Sequence, residues 1–341
     1  MDKLDFYLKE VIGKRCGRDI YNEQGELLVS KATVITYDHV ILLEENGMTL
    51  RADDVVEIGT DFDRHVVMID ETVEHVRTVF GEIRDTKKVP LDELQKNVIP
   101  TIHEASDSKY VLQLFTALQA KDDYTYRHNI AVGAIANLIG KWMGLDQKDL
   151  RQLTTAGLLH DVGKMLIPES ILNKRGRLTG VEFAEMKKHT IYGYDILKET
   201  VGINHRQALV ALQHHERIDG SGYPMGLYKD EIDIFSLIVA VADVFHAMSS
   251  NRIYQNQSPF YKVLSEMQRD MFHGLDPEIT ILFIEKTMNA LIGNSVILTD
   301  GRLGTILMVH RNNPIQPLIR VGDEFIDLSK ESSLQIEQII S

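Results

Sequence analysis

Cysteine occurs once in the 341 residues, at Cys16, which excludes a disulfide framework and a cysteine-rich zinc module. Residues 1–20 lack the apolar core of a signal peptide. The longest strongly apolar run, Leu237 to Ala242, falls far short of the roughly 20 residues that span a bilayer. Basic residues are fewer than acidic ones, 37 against 50, for a net charge of −13. That deficit excludes a protein that coats a long nucleic acid with a basic face. Together these absences predict a cytoplasmic protein that neither enters a membrane nor wraps a long polyanion. What is present is ordinary globular composition, 44% hydrophobic and 26% charged, in a length that suits two or three domains with a large core.

The acidity is uneven. Residues 1–105 hold 13 basic and 22 acidic residues, net −9, and residues 106–341 hold 24 and 28, net −4. The front third is therefore either a solvated surface that aids solubility or a face for a basic partner.

The pattern along the chain divides it in three. Residues 1–105 read as a small mixed α/β module: two short strands around a Gly turn in Asp19 to Leu28, a helix from Tyr37 to Asn46 stopped by Gly47, a helical stripe through Val73, Val76, Val79 and Phe80, and a helix from Leu91 to His103. Residues 106–293 are helical throughout. Residues 294–341 change period: Val296 to Leu298, Thr305 to Val309, Leu318 to Val321 and Phe325 to Leu328 read as strands. Asp300-Gly301 and Asn312-Asn313-Pro314 supply the turns. The fold class is mainly α, with a small β-rich appendage, read as a barrel, at the C-terminal end. A protein partner or a second copy of the chain is expected at the N-terminal module or the β-rich end.

Histidine and aspartate placement carries the chemistry. His128 shares a helical face with Ala131, Val132 and Ile135; His160 with Leu153, Ala156 and Gly157; His189 with Met186, Gly193 and Ile196; His215 with Ala208, Ala211 and Leu212; Asp243 with Ser236, Val239 and Ala240. Each polar residue thus falls on the inward stripe of a different helix, where it is costly unless paired or bound to a metal. One such histidine reads as a satisfied core residue. Five positions on successive helices, two of them doubled as His160-Asp161 and His214-His215, read as a metal site built in a helical core. Imidazole and carboxylate together suit Fe, Mn, Zn, Co or Ni. Asp146 is placed to cap the helix ending at His160-Asp161, and Thr179 with Glu182 forms a capping box before His189. Asp219 to Pro224 (DGSGYP) cannot continue a helix. It is either a plain turn or a loop whose amides approach an anion.

These residues, in order, resemble the HD-GYP branch of the HD phosphohydrolase superfamily. The resemblance rests on Gly157 to Lys164 (GLLHDVGK), His214 to Pro224 (HHERIDGSGYP), Asp122 to His128 (DDYTYRH) and Ala242 to Tyr254 (ADVFHAMSSNRIY), and it covers about residues 106–285. It implies an all-helical HD-type domain and a phosphodiesterase that hydrolyses cyclic di-GMP to pGpG, GMP or both through a metal-bridging hydroxide. The implied metal ligands are His128, His160, Asp161, His189, His214, His215 and Asp243, with Asp161 bridging. Two divalent ions are implied, iron or manganese first, then zinc, cobalt, nickel or magnesium. Asp161 and Lys164 would be catalytic, Lys164 beside the scissile phosphate. Arg252, Lys164, Gly222, Tyr223 and Asp219 would bind substrate. Taken alone, Lys164 is a helix-end cation, Arg252 a surface arginine, and Asp219 either a guanine contact or the cap of its own turn.

The chain departs from the family pattern at three places. Tyr124 stands where three-metal members carry Glu, which predicts two ions. His246 replaces the second Asp of a D-x-x-D-A segment and is read as an ordinary helix histidine in preference to a group supporting a ligand. Gln255 stands where a cation is frequent. Two other functions share the motifs: hydrolysis of another cyclic dinucleotide or nucleotide phosphoester, and cyclic dinucleotide binding without hydrolysis by a scaffold.

Overall fold

The computed structural model describes residues 11, 14–22, 24–30, 33, 35, 37–56, 61–106, 111–118, 124–174, 176–250, 260–271, 274–331 and 333–340. It divides into two compact units at residues 66 and 67, inside the helix Asp61–Thr86. In the first unit, β1 (Arg15–Cys16) pairs with β4 (Val55–Val56), and β2 (Ile20–Tyr21) pairs with β3 (Leu27–Val29), both antiparallel. Gly25 takes φ +82° in the turn between β2 and β3, a conformation that costs a residue with a Cβ. Asn22 closes that turn by accepting from the amides of Gln24 and Glu26. Helix α1 (Tyr37–Glu45) ends before Gly47, also at positive φ. Cys16, Ile20, Val29, Val40, Leu43 and Leu50 are among the buried residues of this small core.

The second unit is a helical body followed by one sheet. The apolar stripe read from Val73 to Phe80 lies in the longer helix α2 (Asp61–Thr86), with Val73, Val76, Val79 and Phe80 all buried. The expected helix Leu91 to His103 is two helices, α3 (Leu91–Asn97) and α4 (Ile99–Ala105). Pro100 sits in the first turn of α4, where its missing N–H breaks no internal bond but stops continuation from α3. Then come α5 (Val111–Leu118), α6 (Tyr124–Trp142), α7 (Gln147–Leu159), α8 (Glu169–Leu172), α9 (Gly180–Lys187), α10 (His189–Lys198), α11 (His205–Gln213), α12 (Ile234–Ser250), α13 (Phe260–Asp270) and α14 (Pro277–Asn289). Helices α6 and α7 cross closely because both are glycine at the crossing: a Cβ on Gly157 would lie 2.9 Å from the Cα of Gly133. That close crossing seats His128 and His160 next to each other.

The C-terminal segment is an open antiparallel sheet, not the expected barrel. Its strands are β5 (Ser295–Leu298), β6 (Leu303–His310), β7 (Asn313–Val321), β8 (Glu324–Asp327) and β9 (Ile336–Ile340), in the order β8-β7-β6-β5-β9. β9 has no counterpart in the expected set; it pairs with β5 across most of the sheet's sequence, leaving β8 and β9 as edges. Asn313-Pro314 lies inside β7, next to a register shift against β6, where a residue without an N–H is tolerated. Tyr261 on α13 donates its hydroxyl to the carbonyl of Ile315 and ties the sheet to the helices. Among the described residues no helix is long and apolar enough to cross a membrane.

Candidate metal centre

Five elements deliver the seven side chains. His128 lies in the first turns of α6. His160 and Asp161 end α7, which Asp146 caps by accepting from the amides of Lys148 and Asp149 as its sequence position predicts. The chain then tightens into a 3₁₀ turn, Val162–Leu166. This turn presses on α10 so closely that a Cβ on Gly163 would strike the carbonyl of His189 and the amide of Gly193. The Thr179–Glu182 capping box forms as expected, His189 opens α10, His214-His215 follow α11, and Asp243 sits in the middle of α12.

The donor atoms converge into two groups, Asp161 with His189, His214 and His215, and His128 with His160 and Asp243; within each group they lie within 4.8 Å of one another. Asp161 joins the groups. Its Oδ1 is 3.3 Å from His189 Nε2 and 3.7 Å from His214 Nε2. Its Oδ2 is 3.4 Å from His160 Nε2 and 3.8 Å from His128 Nε2. Asp243 spans them as well, with Oδ1 3.1 Å from His128 Nε2 and Oδ2 3.8 Å from His215 Nδ1.

The outer ring nitrogens aim the inner ones. His160 Nδ1 lies 2.7 Å from the carbonyl of Gly157, His189 Nδ1 2.8 Å from that of Met186, and His214 Nδ1 3.0 Å from that of Val210. A carbonyl only accepts, so each Nδ1 carries hydrogen, and the neutral ring then presents the Nε2 lone pair inward. His128 reaches the same state by a relay. His246 Nε2 faces the carbonyl of Leu118 at 3.2 Å, so His246 carries its hydrogen there. Its Nδ1 is left to accept from His128 Nδ1 at 2.9 Å. His246 is therefore not the ordinary helix histidine expected; it orients a site residue.

The protonation states of His214 and His215 match this geometry, and that of His160 does not. Burial opposes charge on Asp161 and Asp243, but Lys164 and His160 for the first, and His128 for the second, hold both well below the usual carboxylate range. Burial drives His214 down to about 4, and burial with His214 drives His215 far down. Burial also lowers His246 to about 3, helped by His128. His160 goes the other way: burial lowers it, yet Asp161 and Asp243 together raise it. His160 Nε2 and Asp161 Oδ1 are buried without a hydrogen-bond partner. Anionic carboxylates, neutral His214 and His215 and orphaned donor atoms gathered in these groups suit a divalent cation, and nitrogen with oxygen and no thiolate suits a first-row metal. These clusters can hold metal ions.

Lys164 pairs with Asp161 Oδ2; burial opposes its charge, but Asp161 raises its pKa. The DGSGYP loop is shaped by a residue not singled out from the sequence. Buried Glu216 accepts the amide of Met225 at 2.7 Å with one oxygen and that of Leu227 at 2.9 Å with the other. Gly222 lies against the backbone of Glu216 and Arg217, leaving no space for a Cβ. The Tyr223–Pro224 bond is cis. The ring of Tyr223 packs on His215 with centroids 4.7 Å apart, and burial raises its hydroxyl pKa above the usual tyrosine value. Asp219 Oδ1 accepts from the amide and hydroxyl of Ser221, capping its own turn. Arg252 and Gln255 lie outside the described residues. Glu216 and His246 act through partners nine or more positions away, which no local pattern announces.

Comparison with known proteins agrees with the motifs. Residues 112–279 match the model of the HD domain family. The chain is 35% identical over 204 residues to a cyclic di-GMP phosphodiesterase of Pseudomonas aeruginosa, a match covering 60% of this chain and 49% of the relative. It is 31% identical over 239 residues to a 3′3′-cGAMP-specific phosphodiesterase of Vibrio cholerae, covering 68% and 51%. The chain thus spans about half the length of these curated relatives. The solved structure of an HDG"Y"P protein from Bdellovibrio bacteriovorus shares the fold, with TM-score 0.51 and 16% identity over 81% of this chain and 94% of that one.

Proposed function

Residues 112–279 belong to the HD domain family, in its HD-GYP branch, and from that premise we propose that the chain is a metal-dependent phosphodiesterase that hydrolyses cyclic di-GMP to pGpG, GMP or both. The observation that carries the reading is Asp161: one carboxylate with an oxygen turned toward each of two histidine groups. His189, His214 and His215 would hold one ion, and His128, His160 and Asp243 the other, with Asp161 between; iron or manganese fits best. Bound there, divalent ions would supply Lewis acidity to the phosphoryl oxygens and an acidified water as nucleophile.

The protein's own groups do the rest. Lys164 keeps an ammonium beside Asp161, where it neutralises charge growing on the phosphoryl oxygens and donates a proton to the departing 3′ oxygen. Arg252 would grip a substrate phosphate. Tyr223 walls the site on the His215 side, and Gly222 lets the loop close onto the backbone of Glu216 and Arg217. Asp219 serves this site by holding the loop turn. The V. cholerae relative acts on 3′3′-cGAMP, so the test includes several bases. Metal-loaded protein is incubated with cyclic di-GMP, cyclic di-AMP and 3′3′-cGAMP, and products are separated by chromatography. Cyclic di-GMP should yield pGpG or GMP, and the His160→Ala, Asp161→Ala double variant should yield neither. Turnover by the double variant refutes the site assignment.

A further inference from the structure

Beside the histidine and aspartate cluster stand two side chains to which the reaction above gives no role. Phe183 lies on α9 with 48% of its surface exposed, although a phenylalanine is ordinarily buried. Its ring meets Tyr223 edge-on at 6.4 Å, and Tyr223 is the ring that packs on His215. Lys187, one turn further along α9, holds its ammonium 5.4 Å from the centroid of Phe183 and 5.5 Å from that of Tyr223. Lys188 next to it is paired with Glu185 at 2.6 Å. Lys187 has no carboxylate partner among the described residues, so its charge remains available. The helix that carries the pair is fixed in place: Glu182 accepts from the amide of Thr179 and from Lys174 Nζ, each at 2.7 Å.

We propose that Phe183 and Lys187 form the base-recognition side of the substrate site and select guanine. The assignment rests on the cyclic dinucleotide reading above. A base lies across the sugar from its phosphate, so a base beside Phe183 leaves the phosphate over His215 and the metal cluster. Aromatic side chains stack any base; the cation supplies the choice. Guanine presents O6 and N7 as adjacent acceptors, whereas adenine presents N7 beside an amino donor that repels an ammonium. Lys187, steadied over two rings by cation–π attraction, is a donor in position for the guanine pair. Phe183 binds the base face and Lys187 its edge, while Lys164 remains with the phosphate.

The test compares the wild-type protein with Phe183→Leu, which keeps apolar bulk but removes the ring, and Lys187→Met, which keeps length but removes the charge. Calorimetric titration with GMP and AMP is paired with turnover of cyclic di-GMP, cyclic di-AMP and bis(p-nitrophenyl) phosphate, a diester without a base. Phe183→Leu should raise the KM for both cyclic dinucleotides about tenfold and lower their turnover relative to the base-free diester by a similar factor. Lys187→Met should weaken GMP about tenfold more than AMP and lower the guanine-to-adenine ratio of kcat/KM. Unchanged ratios in an enzyme that hydrolyses cyclic di-GMP overturn the assignment alone. Equal losses on all three substrates give these residues a structural role and overturn it too. Wild-type protein that hydrolyses only the base-free diester refutes the cyclic dinucleotide reading, and the assignment with it.

Discussion

Replacing His246 by leucine isolates the relay that orients His128. Leucine fills most of the space of the imidazole but offers no acceptor to His128 Nδ1–H, 2.9 Å away, and no donor to the carbonyl of Leu118. His246 is buried, so water does not readily replace it, and one buried unsatisfied group costs ~1–3 kcal/mol. At about 2–4 °C per kcal/mol for a body of this size, the metal-free protein should melt lower by several degrees. The metal effect is separate. A ligand that loses the partner of its outer nitrogen loses its fixed tautomer and ring angle, and such losses typically weaken metal binding by about 10–100-fold. Manganese titrated into metal-free wild-type and His246→Leu protein should give two half-saturation points in the variant, with the weaker site shifted by that factor. His246→Asn, which can accept from His128, should recover most of the affinity. A variant that binds both ions as tightly as the wild-type protein refutes the relay.

Three further outcomes follow from the same geometry. Gly163→Ala drives a methyl group into the backbone of His189 and Gly193. Overpacking of this kind costs ~1–3 kcal/mol, visible as a lower Tm in both the metal-free and the loaded protein. Glu216→Gln turns one acceptor of the Met225 and Leu227 amides into a donor facing a donor; hydrogen exchange at these two amides should quicken about tenfold or more, with the amides of α7 unaffected. His103, pushed down to about 4 by burial and by Lys141 and Arg151, gives a pH test remote from the metal cluster. Its folded pKa lies below the unfolded one, so the stability it contributes is complete above about pH 6.5 and is lost as pH falls toward 4. Between those limits the wild-type protein should lose up to ~3 kcal/mol more than His103→Gln, less for the partial exposure of the ring; parallel pH profiles contradict it.

Much of the site was legible because helical period converts spacing into direction. His128, His160, His189, His215 and Asp243 each fall on an apolar stripe, and the fold turns those stripes inward. The caps at Asp146 and Thr179 were equally readable, since a cap and its amide partners lie within three residues. What stayed hidden depends on distance in sequence. His246 meets His128 across 118 positions, and Glu216 organises amides in a loop that it precedes. The break at Val98 is hard to read because the stripe continues through Pro100 on both sides of it. β9 has no local signature because Ile336 to Ile340 is short and becomes a strand only by pairing with β5. The net charge of −13 is compatible with a small anionic substrate, because charge acts locally: Lys164, and Lys187 over its two rings, stand at the candidate site. The acidic excess lies mainly before residue 106.

The central claim is that the Asp161-bridged clusters hold a metal pair that cleaves a cyclic dinucleotide. Anaerobic purification, metal analysis and product chromatography on the same sample test it together. The account predicts close to two iron or manganese ions per chain, conversion of cyclic di-GMP to pGpG or GMP, and loss of both in Asp161→Ala. Full turnover by Asp161→Ala, or by wild-type protein stripped of metal with a chelator, would contradict it.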